Sequence, residues 1–236
     1  MKTLAIIPAR GGSKSIPKKN IVDLMGRPLV AWTIQQALDS NVVDYVHVST
    51  DDEKISETAI KFGAHSDFLR PKDISGDVIG TREAILHSIA TLEALGHSFD
   101  LVLELQPTYC FRGKDVITEI VNIFRSDHKQ KVDSVITCTK VEDTSHPDYI
   151  LSTQDDGYVK FGLKDIDTFA RQKLSPKLAC KGIVLASRVK SYIKSHSFFS
   201  GQCLPYLIKD KLRTTDINDS FDLDIARALA EKYSYL

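Results

Sequence analysis

The sequence predicts a three-layer α/β/α fold built on a mostly parallel sheet, and three observations carry that expectation. Short β-branched runs alternate with segments of helical periodicity along most of the chain. The first run leads straight into a glycine-rich basic loop, the place where an open α/β sheet keeps its ligand crevice. The chain has 236 residues, 42% hydrophobic and 26% charged, enough for a full core and ordinary for a globular protein.

The elements follow in order. Thr3-Leu4-Ala5-Ile6-Ile7-Pro8 reads as a buried strand that ends at Arg10. Tyr45–Ser49 reads as a second strand, and Ile55, Ala59 and Phe62 then recur at helical spacing. Ile85, Ile89 and Leu92 repeat the spacing ahead of a strand at Leu101–Leu105. Val116, Ile117, Ile120, Val121 and Phe124 mark another helix, followed by a strand at Ser134–Cys138. Between Lys140 and Lys181 the rhythm breaks into His146-Pro147, Asp155-Asp156-Gly157 and short polar–apolar stretches, which read as a hairpin-like insertion. A long surface loop is the plainer alternative. Lys181–Ala186 restores a core strand, and a last helix carries Phe221, Leu223, Ile225 and Leu229. The expected division is therefore a core of 1–139 with 182–236, and a segment at 140–181.

Bulk properties exclude several classes. Thirty-one basic residues balance 31 acidic ones, which argues against a general nucleic-acid or membrane-surface binder. No apolar stretch approaches the roughly twenty residues that span a bilayer, and charge follows the first apolar run too soon for a secretion signal. Cys110, Cys138, Cys180 and Cys203 are widely spaced, with no C-x-x-C pair. Free thiols in a reducing cytoplasm are expected rather than zinc or a disulfide framework.

The opening loop, Arg10-Gly11-Gly12-Ser13-Lys14-Ser15-Ile16-Pro17-Lys18-Lys19-Asn20, gathers four cations within ten residues. Backbone N–H groups and cations concentrated there suit a triphosphate. The loop lacks the Gly-Lys-Ser/Thr ending of a P-loop and the third glycine of a Rossmann turn. It resembles the opening motif of the N-acylneuraminate cytidylyltransferases, close to I-P-A-R-G-G-S-K-G-I-P-x-K-N, and departs from it only at Ser15.

Further segments extend the resemblance in family order. Leu69-Arg70-Pro71 with Asp77 and Thr81 is similar to L-R-P…D-T-x-x-S. Leu105-Gln106-Pro107-Thr108-Tyr109-Cys110-Phe111-Arg112 is similar to L-Q-P-T-S-P-L/F-R, with Tyr109 and Cys110 in place of serine and proline. Arg171-Gln172 matches an R-Q pair, and Lys181-Gly182 stands where relatives have N-G. Asp216-Ile217-Asn218 and Asp222-Leu223 resemble D-I-D-x-x-x-D-L, with Asn218 in place of the second acid.

What the resemblance implies is specific. The fold would be that of the nucleotide-diphospho-sugar transferases, and the 140–181 segment would project and form a homodimer interface. Arg10 and Lys14 would grip the CTP triphosphate over the Gly11, Gly12 and Ser13 amides. Lys19 would act near the α-phosphate, and Asn20 would meet ribose or base. Arg70, Thr81 and the Ile79 backbone would read cytosine. Gln106, Thr108, Tyr109, Arg112, Arg171 and Gln172 would serve the sugar acid, with Arg112 ordering its loop. Asp216 and Asn218 would hold Mg²⁺, with one charge fewer than in relatives. The implied reaction transfers CMP from CTP to the anomeric hydroxyl of a sialic-acid-like nonulosonic acid in the cytoplasm, releasing pyrophosphate. Legionaminic, pseudaminic or octulosonic acid as acceptor, and a non-catalytic CTP-binding protein, are the alternatives. Plainer roles stand beside these: Arg70 closing a strand end, Thr81 capping a helix, and Asp51 capping the helix after Thr50.

Overall fold

The computed structural model describes residues 1–76, 80–142, 145–161 and 175–233. Its strands are β1 (Thr3–Pro8), β2 (Asp23–Leu24), β3 (Arg27–Pro28), β4 (Tyr45–Ser49), β5 (Leu101–Glu104), β6 (Ser134–Lys140), β7 (Leu151–Thr153), β8 (Val159–Phe161), β9 (Leu178–Arg188) and β10 (Cys203–Leu207). Its helices are α1 (Leu29–Asp39), α2 (Glu53–Lys61), α3 (Thr81–Ala94), α4 (Lys114–Ser126), α5 (Val189–Ser195) and α6 (Ser220–Tyr233). Two compact units result, one of residues 1–137 with 181–236 and one of residues 138–180.

The larger unit is built on a six-stranded sheet of order β10-β6-β9-β5-β1-β4. β1 pairs in parallel with β4 on one side and with β5 on the other. β9 runs antiparallel to β5, an exception within the mostly parallel sheet. Because β4 and β5 leave β1 in opposite directions, the strand order reverses at the carboxyl end of β1, and that reversal opens a crevice.

Alternation along β1 shows why there are three layers. Ala5 and Ile7 join a core cluster with Val30 and Ile34 of α1, Ile55 and Ala59 of α2, and Ile117, Ile120 and Val121 of α4. Leu4 and Ile6 join a second cluster with Ile85, Ile89 and Leu92 of α3 and Val189 and Tyr192 of α5. Successive residues of a strand face opposite ways, so the continuous apolar run is apolar on both faces and needs a helical layer on each.

A third cluster joins α6 to the rest through Leu223, Ala226 and Ala230, packed with Ile16, Leu24, Trp32, Phe111 and Ile217. This corrects the expected apolar face of the last helix. Phe221 is 71% exposed and Ile225 is also exposed, whereas Leu223 is 5% exposed. Leu223, Ala226 and Ala230 follow the i, i+3, i+7 pattern of one helix face, and Phe221 lies off it. Phe62, expected within the second helix, is its C-cap residue.

In the smaller unit, β7 and β8 form an antiparallel hairpin. Gly157, at φ 84°, supplies the left-handed turn residue, and Asp156 Oδ1 accepts the Tyr158 N–H at 3.1 Å. His146 Nδ1 accepts the Asp148 N–H at 3.2 Å, so the proton on Nε2 goes to the Ser175 carbonyl at 2.9 Å.

The α6 face is checked by truncation. Leu223→Ala should cost about 2–5 kcal/mol, and Phe221→Ala should stay within about 0.5 kcal/mol. Urea midpoints at constant m-value separate the two.

Candidate functional site

A cavity of about 320 Å³ opens at the carboxyl ends of β1 and β5. Pro8, Arg10, Lys19 and Asn20 line it from the first loop, and Arg70 with Ile74, Ser75 and Gly76 from the segment between α2 and α3. Gly80 and Thr81 contribute from the start of α3, and Gln106, Pro107 and Thr108 from the loop after β5. A larger cavity of about 700 Å³ lies at the other end of the sheet, among Met1, Asp100, Asp127 and Arg188. Size favours the second, but position favours the first, because ligands of open α/β sheets bind beyond the strands' carboxyl ends.

The first loop is fixed by Asp51 and Asp52. The Gly11 N–H donates to Asp51 Oδ1 at 2.9 Å. A Cβ on Gly11 would stand 2.8 Å from Asp52 Cβ, so this approach is open only to glycine. Asp52, not Asp51, caps α2, accepting from the Lys54 and Ile55 N–H groups at 2.8 and 3.1 Å. Asp51 is thereby released from capping, and its Oδ1 also faces Arg70 Nη2 at 3.8 Å. The Asn20 side-chain amide donates to the Arg10 carbonyl at 2.9 Å and holds the far end of the loop.

Arg70 is 7% exposed. Its Nε donates to Ser75 Oγ at 3.1 Å, and Ser75 Oγ donates to the Pro71 carbonyl at 2.8 Å. Burial lowers the Arg70 pKa, opposed by Asp51 and aided by Arg10. A guanidinium held this way presents a fixed planar donor array.

Lys19 connects the first loop to the segment before α6. Its Nζ donates to the Ile217 carbonyl at 3.0 Å and the Asn218 carbonyl at 3.4 Å. Ser15 Oγ also donates to the Asn218 carbonyl. Burial lowers the Lys19 pKa; Asp216 pulls it back up, and Arg10 pushes it down. Arg10, Lys19 and Asp216 therefore share one electrostatic neighbourhood. Asp216 Oδ1 is buried without a hydrogen-bond partner, which an oxygen-seeking divalent cation would relieve. Asn218 is exposed. Asp219 and Asp222 are occupied with each other's backbone in a box at the α6 start. Among the described residues no group of three or more His, Cys, Asp or Glu could cage a metal, so an ion here would complete its shell with ligand oxygens or water.

The loop after β5 is organised by Arg112, which is fully buried. It donates to the Ile183 carbonyl and, at 2.7 Å, to the Gln106 carbonyl, with Thr33 Oγ1 and Gln36 Oε1 at 3.4 Å. Arg112 thus ties the loop to β9 and α1, and, being fully buried, it is not among the residues that line the cavity. Tyr109 is likewise corrected. The loop turns at Tyr109, and the ring, 5% exposed, joins the core cluster that holds Leu105 and Val116. Cys110 is buried beside Phe111 and Trp32. The two residues that depart from the family pattern therefore reshape what lies under the loop, not the cavity wall.

Thr81 is the first residue of α3, with Gly80 at the N-cap position, so Thr81 does not cap the helix. Its Oγ1 lies 3.4 Å from Glu104 Oε2, and Gln106 Nε2 donates to Glu104 Oε1 at 3.1 Å. Burial raises the Glu104 pKa, against the two hydrogen bonds that lower it. Sequence reasoning passed over Glu104, although an acid inside an otherwise apolar strand was a visible signal.

Seven of the expected residues, Arg10, Lys19, Asn20, Arg70, Thr81, Gln106 and Thr108, line one cavity. Gly11, Gly12, Ser13 and Lys14 share the loop of Arg10 but are not part of that wall among the described residues. Asp216 and Asn218 are joined to it through Lys19, and the Ile217 N–H donates to the Thr108 carbonyl at 3.1 Å. Ile79, Arg171 and Gln172 lie outside the described residues.

Two measurements check this geometry. A Cβ at Gly182 would stand 2.3 Å from Gln106 Oε1, whereas one at Gly12 would meet nothing within 4 Å. Gly182→Ala should push the Gln106 amide off Glu104 and lower stability by about 1 kcal/mol, the worth of that hydrogen bond, and Gly12→Ala by less than about 0.5 kcal/mol, read from urea midpoints. Glu104 has a folded pKa above its unfolded value. Its contribution is therefore complete below the ordinary carboxylate pKa and is lost as pH rises through the folded one. Glu104→Gln should flatten the decline in stability over that window, and an unchanged slope would refute the burial effect.

Comparison with known proteins places these features in one family. Residues 4–161 match the family model described as cytidylyltransferase. A CMP-N,N'-diacetyllegionaminic acid synthase from Legionella pneumophila is 31% identical over 233 residues, covering 98% of this chain and 97% of that protein. A pseudaminic acid cytidylyltransferase from Campylobacter jejuni is 41% identical over 124 residues, 52% of this chain. The matched stretch spans about half of that relative, 53% of its length. An N-acylneuraminate cytidylyltransferase from Escherichia coli O18:K1:H7 is 32% identical over 98% of this chain and 52% of its own length. Among solved structures, CMP:2-keto-3-deoxy-manno-octonic acid synthetase complexed with CTP shares the fold at TM-score 0.72, with 17% identity, 99% of this chain and 100% of that chain covered. A 4-diphosphocytidyl-2C-methyl-D-erythritol synthase from Anaerococcus prevotii shares it at TM-score 0.61 and 17% identity, over 98% of each chain. A family match across more than half the sequence, joined to a relative aligned along nearly its whole length, leaves one conclusion: this chain belongs to the cytidylyltransferase family.

Proposed function

We propose that this protein transfers CMP from CTP to the anomeric hydroxyl of a nonulosonic acid of the sialic acid type, releasing pyrophosphate. One observation carries the proposal: the basic loop after β1, the buried Arg70 and the Asp216 segment converge on a single crevice. The full-length relative named for legionaminic acid and the partial one named for pseudaminic acid support a nonulosonic acid as acceptor and keep both sugars among the candidates.

The chemistry follows from the cations. Nucleotidyl transfer accumulates negative charge around the α-phosphorus and on the departing pyrophosphate. Arg10 offers two parallel N–H donors to phosphate oxygens, and Lys19 offers a point charge already anchored on two carbonyls. Because those carbonyls fix the amine before substrate arrives, little of its freedom remains to be lost on binding. Lys14 serves the distal phosphates from the exposed side of the loop. Arg70 and Thr81 face the base, while Gln106 and Thr108 face the acceptor. Mg²⁺ would be held by Asp216 Oδ1 and the Asn218 side-chain oxygen, and would supply further charge neutralisation on the phosphates. The 140–181 segment is proposed to carry a homodimer interface. A cytoplasmic location agrees with a CTP-dependent reaction, and among the described residues no helix is long and apolar enough to cross a membrane.

The test is pyrophosphate release from purified protein with CTP, Mg²⁺ and a panel of nonulosonic and octulosonic acids. Release with at least one sugar is expected. Arg10→Ala should lower kcat/KM by about 100-fold or more, and Asn218→Asp should raise turnover at limiting Mg²⁺. Failure with every sugar, together with CTP binding indifferent to Mg²⁺, would instead identify a nucleotide-binding protein without catalysis.

A further inference from the structure

We propose that Glu104 is a positioning residue that locks the Gln106 amide in one orientation and thereby sets which acceptor hydroxyls the pocket recognises. This rests on the reading of the crevice as a CTP and sugar-acid site, with Gln106 on the acceptor side.

The argument begins with what a strand would otherwise hold. β5 is Leu101-Val102-Leu103-Glu104, with every residue buried. Glu104 is 2% exposed, where an apolar side chain would avoid the cost of burying an acid. An ionised carboxylate accepts without donating, and the hydrogen bonds from Gln106 and Thr81 favour that form against the burial that opposes it. Gln106 must therefore turn Nε2 toward it, and Gln106 Nε2 does donate to Glu104 Oε1 at 3.1 Å. The whole amide lies against residue 182, where a Cβ would stand 2.3 Å from Oε1, 2.4 Å from Cδ and 2.7 Å from Nε2, so glycine there leaves room for the group.

A side-chain amide has two ends of nearly equal shape and opposite hydrogen-bonding character. Left alone it samples both orientations, offering a donor in one and an acceptor in the other. The hydrogen bond to the carboxylate removes that ambiguity, and the bare Gly182 backbone leaves the amide room to make it. Gln106 lines the cavity, so its remaining N–H and its Oε1 are presented in a fixed order to whatever binds there. The second carboxylate oxygen lies 3.4 Å from Thr81 Oγ1 on the opposite wall, so one buried group steadies side chains from both α3 and the loop after β5. A site with a fixed donor and acceptor order discriminates sugars by their hydroxyl pattern, because a mismatched hydroxyl leaves a buried polar group unpaired.

The experiment compares wild type, E104Q, E104L, Q106L and E104L/Q106L. The Gln106 side-chain amide is identified in ¹⁵N NMR spectra as the signal lost in Q106L. Its hydrogen exchange should be slow in wild type, intermediate in E104Q, which keeps an acceptor, and at least about tenfold faster in E104L. With the best sugar of the panel, E104L should raise the KM for the acceptor about tenfold, the effect of losing one positioned hydrogen bond. The kcat should stay within about threefold, and in acceptor KM E104L/Q106L should be no worse than Q106L alone. Exchange of the Gln106 amide unchanged in E104L, or full additivity in the double variant, would overturn the proposal. If wild type turns over no sugar, the transferase reading falls, while the exchange data still decide whether Glu104 holds the amide.

Discussion

The hydrogen bond from the Gly11 amide to the Asp51 carboxylate is the contact on which the rest of the crevice depends. It ties the loop after β1 to the loop after β4, its parallel neighbour, at the carboxyl end of β1 where the strand order reverses and the cavity opens. The approach is possible because residue 11 has no Cβ, and because Asp52 takes over the capping of α2. Asp51 is then available to face Arg70 as well. One carboxylate thus steadies the loop proposed to hold phosphate and the guanidinium proposed to read the base. A second tie, from Lys19 to the carbonyls before α6, brings the far end of the chain to the same place.

Charge in this crevice is arranged in opposition. Arg10 depresses the pKa of both Lys19 and Arg70, and burial does so more strongly in each case. Concentrated, partly desolvated cations are costly to the empty protein and favourable to a polyanion that enters among them. Asp216 moderates the repulsion on Lys19 while keeping one oxygen buried and unpartnered. The same segment therefore balances the cations and offers a ligand to a divalent ion.

Much of this was legible in the sequence because it is written in local patterns. The parallel core follows from apolar strands alternating with helical spacing, and the position of the basic loop follows from its place directly after the first strand. Other features depend on which way a side chain turns. Phe221 and Leu223 are equivalent by composition, and only packing of α6 on Trp32 and Phe111 separates them. Tyr109 sits in a loop that motif comparison assigns to the acceptor, yet the turn sends its ring inward. Glu104 becomes informative only when its partners Gln106, two residues on, and Thr81, at the start of α3, are seen to hydrogen-bond to it.

The most direct measurement is a crystal structure of the protein with CTP and Mg²⁺. The triphosphate should lie along the loop of Arg10 and Lys14, the α-phosphate between Lys19 and Asp216, and the base beside Arg70. Nucleotide bound instead in the cavity at the amino ends of β1 and β5, or phosphates remote from Lys19 and Asp216, would contradict the assignment.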